Sequence, residues 1–296
     1  IGRAFAFAPL HHVVNRYVAM VEQSLKAHLA ALSQADFTFL EALEPDLTYL
    51  FKHIITQEAA YQTLLFAQRR ELHRQVAEWY ERGQAPEVGS QFLYPALCTL
   101  YPVLAYHYRC AEDAEKERHY ARLAGETAAR QYANDAAIGF LSRALDLTPN
   151  DDDAARRELL LARESIYHIQ GKRQLQIADL EALTALAQTG DASFQAEVAL
   201  RWARRHIETG NYAAAIQHAQ ETIRAAESAQ DQALYVAGKI EWARALSRRA
   251  EYASAREHLT EALMVTVQPD LSLRAIFAKQ SPTLSTEDHN AEIASS

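Results

Sequence analysis

The chain is poor in the residues that break regular structure. Its 296 residues hold nine Gly and eight Pro, and an all-β or loop-rich protein of this length needs more turn formers than that. Cysteine is nearly absent. Cys98 and Cys110 are the only two, which excludes a disulfide framework and fits a reducing cytoplasm. No run approaches eighteen uninterrupted apolar residues, so no membrane span is expected. Positive charge is not in excess either. The net charge of −8 argues against nonspecific nucleic-acid binding, which rests on clustered Lys and Arg. Also missing are a G-x-x-x-x-G-K-[ST] phosphate loop, H-E-x-x-H, C-x-x-C and G-x-S-x-G, so nothing points to catalysis within this chain. The first residue is Ile1, and the opening is too short and polar for a signal peptide. The expectation is a stretch from inside a longer polypeptide.

What is present is helix-forming. Apolar residues make up 49%, and Ala, Leu, Glu, Gln and Arg dominate. Leu10 to Asn15 and Tyr17 to Leu32 carry apolar residues at helical spacing. Phe37 and Phe39, then Leu47, Tyr49 and Phe51, alternate around Glu44-Pro45-Asp46, which reads as a small β-hairpin. Helical spacing resumes from His53 to Phe66 and from Arg69 to Arg82. The expected fold class is mostly α, with a winged-helix-like domain over 1–82 holding that one hairpin. A Gly- and Pro-bearing linker is expected at 83–91. Tetratricopeptide-like helical repeats are expected over 92–270, and a disordered tail rich in Ser, Thr and acids over 271–296.

The repeat reading comes from self-similarity. Ile138, Ile177, Ile216 and Arg256 occupy matching places 39, 39 and 40 residues apart, and a period near 40 with two helices per unit signals an α-solenoid. Ala213, Ala214 and Ala215, like Ala253 and Ala255, are small enough for close helix packing. Tyr212 and Tyr252 sit at one repeat position and are expected to wedge between helices. Such an array binds protein surfaces, from a partner or from the chain's own upstream domains.

Several side chains invite a site. Cys98, His107 and Cys110 fit no common zinc spacing and read as packing residues, so no metal site is expected. Arg69, Arg70 and Arg74 beside His73 could meet phosphate or a neighbouring domain. They could equally form a solvated face paired with Glu71 and Glu78. Residues 1–82 carry eight Lys/Arg against nine Asp/Glu, which argues against DNA as a partner. His53 stands where the hairpin gives way to a helix, and helix N-termini favour anions; a local cap or packing role is the plainer reading.

The run from Tyr49 through Leu65, followed by Arg69-Arg-Glu-Leu-His73, resembles the segment after the ATPase core in signal-transduction ATPases with numerous domains. It is most like the bacterial group joined to class III adenylate/guanylate cyclase domains and tetratricopeptide repeats. Leu104 to Tyr108, Ala121 to Ala128 and Tyr132 to Ile138 resemble that group's first repeats, and related segments occur in LuxR-type transcriptional activators. The resemblance implies that His53 senses a nucleotide phosphate in the full-length protein; Lys52, Arg69 and Arg70 are further candidate phosphate contacts read from the residues themselves. Plant and animal members carry Asp after that histidine, where this chain has Ile54. No cofactor is expected in this chain itself; ATP or ADP and Mg would belong to the parent protein.

Overall fold

The computed structural model describes residues 3–42, 47–83 and 93–267, with the helical backbone alone at 93–99. The linker expected over 83–91 lies outside these residues apart from Gly83, and so does the tail expected from 271. Two compact units divide the chain, one running to Lys172 and the other starting at Arg173.

The first unit opens with a short strand, β1 (Ala4–Ala6), and two helices, α1 (Phe7–Val18) and α2 (Glu22–Gln34). Strands β2 (Thr38–Ala42) and β3 (Thr48–Phe51) follow, then α3 (Ile54–Gln62) and α4 (Phe66–Gly83). The expected hairpin is therefore real, but it is two strands of a three-stranded antiparallel sheet ordered β1-β3-β2. Phe5 pairs with Tyr49 and Phe39 with Leu50. Tyr17 to Leu32 is not one helix. Ala19 turns left-handed at φ 47° and its N–H closes on the Asn15 carbonyl, ending α1. Phe7, Leu25 and Leu29 form the local core, with Phe5, Leu10, Leu47 and Tyr49 packed around them.

Long helices fill the rest of this unit: α5 (Leu93–Cys110), α6 (Ala114–Arg130), α7 (Asn134–Asp146) and α8 (Asp153–Gln170), each packed on the next from α4 onward. The second unit continues with α9 (Arg173–Ala187), α10 (Ala192–Glu208), α11 (Tyr212–Ala229), α12 (Gln232–Arg248) and α13 (Tyr252–Val267), again packed consecutively.

The period of the sequence is the period of the helices. First helices of successive pairs begin at 114, 153, 192 and 232, and second helices at 134, 173, 212 and 252. Each first helix is capped by an aspartate. Asp113, Asp152, Asp191 and Asp231 accept a bond from the backbone N–H three residues on, at 3.1, 3.1, 2.7 and 3.0 Å. That satisfies an amide with no partner inside the helix.

The turn inside each pair is also uniform. Tyr132, Gly171, Gly210 and Ala250 occupy one position, two residues before the second helix, and all have positive φ, at 59°, 66°, 77° and 64°. A Cβ in this conformation is strained by roughly 1–2 kcal/mol. Ala250→Gly is therefore expected to stabilise the protein by about 0.5–1 kcal/mol despite glycine's greater unfolded-state freedom. Gly210→Ala should do the reverse. Urea unfolding midpoints of the two variants check both signs.

Tyr252 does not wedge between helices. It is 67% exposed, whereas its counterpart Tyr212 packs partly buried on Ile207, Ala215 and Ala245. Among the described residues no helix follows α13 to cover Tyr252.

Candidate functional site

The corner between β3 and α3 carries the predicted phosphate contact. His53 has extended backbone angles and sits at the N-cap of α3; its carbonyl accepts the Thr56 N–H at 3.1 Å. Its side chain is exposed and makes no bond to the helix it caps. An exposed histidine thus marks the start of a helix, where the first N–H groups have no partner within the helix and favour an anion. α3 buries none of its residues: Ile54 is 60% and Ile55 77% exposed.

The other predicted contacts are not gathered there. Lys52 forms an ion pair with Asp36. Arg69 lies at the opposite end of α3, where Nε donates to the Leu64 carbonyl and a terminal N–H to the Gln62 carbonyl, both at 2.9 Å. Its guanidinium also lies 4.8 Å from the Tyr61 ring centre. Nine helical residues separate it from His53, roughly 13 Å. Arg70 reaches Glu112 at 3.0 Å, beyond the end of α5. Arg74 pairs with Glu71 at 3.2 Å, as a solvated face would.

His73 is not beside the basic cluster but beneath it. It is fully buried, and its Nδ1 faces the buried Nδ1 of His107 at 2.9 Å, while Nε2 meets the Tyr61 hydroxyl at 3.0 Å. Burial holds His73 down at about 4, and burial together with the facing His73 holds His107 at about 3, against 6.5 ordinarily. His107 is thus buried against His73. Cys110 is a free thiol, and Cys98's side chain lies outside the described residues. No cluster of three metal-ligating side chains occurs among the described residues.

In the second unit, a surface feature recurs that sequence reading missed. Trp202 on α10 stacks on His206 and on His218 of α11, with ring centres 5.6 and 6.0 Å away. The two imidazoles stack at 5.3 Å, and the indole N–H donates to Thr184 Oγ1 at 3.0 Å. Burial lowers the His206 pKa, with His218 and Arg205 adding to the effect. The stack borders a cavity of about 480 Å³ that also takes in Gln188, Gln195 and Arg224. Forty residues on, Trp242 stacks on His258 at 4.0 Å. Two Trp and two His each spaced by one repeat length were the available signal. In the preceding pairs these places hold Arg163 with Asp179 and Ala124 with Phe140.

No protein-family model matches the chain, and no curated protein does. Solved structures are similar at low identity, two of them as follows. BtubC (BKLC) from P. vanneervenii is 14% identical, covering 74% of this chain and 94% of its own, with a TM-score of 0.47. The Signal Transduction ATPase with Numerous Domains (STAND) protein with a tetratricopeptide repeat sensor from Pyrococcus horikoshii is also 14% identical. That match takes in 93% of this chain and has a TM-score of 0.35. The chain spans 49% of that protein's length. Among the described residues no helix is long and apolar enough to cross a membrane.

Proposed function

We propose that this chain is the non-catalytic regulatory and protein-interaction segment of a multidomain cytoplasmic signalling ATPase linked to a nucleotide cyclase. In this reading residues 1–82 are a winged-helix relay and the helix pairs a tetratricopeptide-type sensor. The observation that carries it is the exposed imidazole of His53 at the open N-terminus of α3. There it can reach a phosphate held by another domain, and the N–H groups of the first turn add favourable charge. Lys52, Arg69 and Arg70, all engaged elsewhere, are left out of this role. The recurring Trp–His stacks give the repeats a surface of aromatic faces and polar edges, suited to partner side chains.

A charge-assisted hydrogen bond contributes roughly 1.5–3 kcal/mol, whereas moving a two-state switch from 1:99 to 99:1 takes about 5.5 kcal/mol. His53 therefore biases such a switch and the ATPase domain supplies the remainder. His53→Ala in the full-length protein is expected to weaken ADP retention roughly 10- to 100-fold, read as ADP off-rate after desalting. An unchanged off-rate would remove His53 from the mechanism and leave the segment a scaffold.

A further inference from the structure

We propose that the His73–His107 contact is a proton-operated catch between α4 and α5, holding the helices together while both imidazoles are neutral and parting them when both are charged. The geometry allows little else. Two Nδ1 atoms 2.9 Å apart make a hydrogen bond only if one carries a proton and the other does not. With both rings neutral, opposite tautomers satisfy the pair, and the Tyr61 hydroxyl can donate to or accept from His73 Nε2 to suit either choice. With both protonated, two N–H groups point at one another and two like charges share a buried site.

Among the described residues the surroundings offer no counter-ion. From α3 the facing group is Tyr61, whose ring meets His73 edge-on. From α5 it is Tyr106, edge-on to both imidazoles, with Cys110 beside that tyrosine. From α4 it is Tyr80. Toward β1 and α1, His107 borders a small cavity of about 60 Å³ lined by Ala4, Ala6, Pro9 and Leu10, none of which titrates. The acids nearby are committed elsewhere. Glu71 holds Arg74 and Gln75, Glu78 pairs with Arg16 and Arg82, Glu81 takes Lys116 and Tyr120, and Glu112 pairs with Arg70. Tyr61 and His73 also border an apolar cavity of about 330 Å³, walled by Leu25, Leu29, Phe51 and Leu64 among others. It leaves open space on the His73 side of the contact.

The direction with pH follows from linkage. Both histidines bind protons less readily in the closed form than when opened to water. The closed form's advantage is therefore complete above about pH 6.5 and falls as pH drops toward 4. Each histidine favours opening up to tenfold per pH unit in that window, so the pair favours it about a hundredfold between pH 7.5 and 5.5.

Amide hydrogen exchange on the whole chain, corrected for the intrinsic pH dependence of exchange, tests the catch. Opening of α4 and α5 is expected to rise about a hundredfold over that range while α10 to α12 change far less. In the double variant His73→Phe/His107→Phe the rise should disappear. A uniform rise across both units, or an unaltered pH slope in the double variant, overturns the proposal. If the double variant does not fold, ring nitrogen shifts in the unmodified protein decide. Imidazoles that stay neutral below pH 5 in the closed form support the catch, and titration near 6.5 refutes it.

Discussion

Leu141→Ala is expected to lower the stability of the first unit by about 3–5 kcal/mol. Leu141 is completely buried, at the centre of a cluster formed with Ala105, Ala121, Ala137, Ala144, Leu159 and Ile166. Its neighbours are mostly alanines, short side chains that cannot swing in to refill the lost volume, so the cavity persists. The same leucine explains a glycine in the middle of a helix. A Cβ on Gly125 would lie 2.8 Å from Leu141 Cγ and 2.9 Å from Cδ2. Gly125→Ala is thus expected to destabilise by roughly 1–2 kcal/mol, because overpacking outweighs the gain of about 1 kcal/mol in helix propensity. In the Leu141→Ala background the clash with the side chain is gone and only the backbone nitrogen of residue 141 remains close, at 3.2 Å, so Gly125→Ala should cost clearly less. Four denaturation curves complete the cycle. Equal effects in the two backgrounds would show that Gly125 is not there to make room for Leu141.

Arg143→Ala is expected to cost about 2–4 kcal/mol, more than an ordinary surface ion pair. Glu117, only 4% exposed, takes both branches of the Arg143 guanidinium, at 2.6 Å to Nε and 3.0 Å to a terminal nitrogen. Removing the arginine leaves a buried carboxylate with no cation. Arg143 is itself 40% exposed, which keeps the loss toward the lower end of that range. The double change Glu117→Met/Arg143→Met should lose less than Arg143→Ala alone, because no charge is then stranded. If the single variant instead melts with the unaltered protein, water reaches Glu117 and the pair is ornamental. Glu241 repeats the pattern in the second unit, bridging Arg204 at 3.0 Å and Arg244 at 2.6 Å.

Most of the helical architecture is legible in the amino-acid sequence because repetition is a strong signal. Ile138, Ile177, Ile216 and Arg256 recur with the same spacing as the helices that contain them. The capping aspartates at 113, 152, 191 and 231 carry that period too, and mark the first helix of each pair more sharply than its apolar residues do. β1 was not legible: Ala4-Phe5-Ala6 has no alternation to read, and only pairing with β3 makes it a strand. The break at Ala19 was hidden for a related reason, since helical spacing runs straight through it and alanine is a helix former. His53 stood out as a candidate because a local motif surrounds it. His73 and His107 lie 34 residues apart with no shared pattern, so their contact emerges only once α4 packs on α5. The four basic or imidazole residues read together split for a similar reason. Closeness along the chain said nothing about which end of α3 each would occupy.

α3 has one end clamped and one end loose. Arg69 ties its last carbonyls down, and Tyr61 on its final turn is bonded to His73. At the other end His53, Ile54 and Ile55 have little to hold them. A short rod fixed in this way transmits leverage. A ligand on His53 would pull at the exposed end of a helix whose other end carries Tyr61, the hydroxyl partner of buried His73.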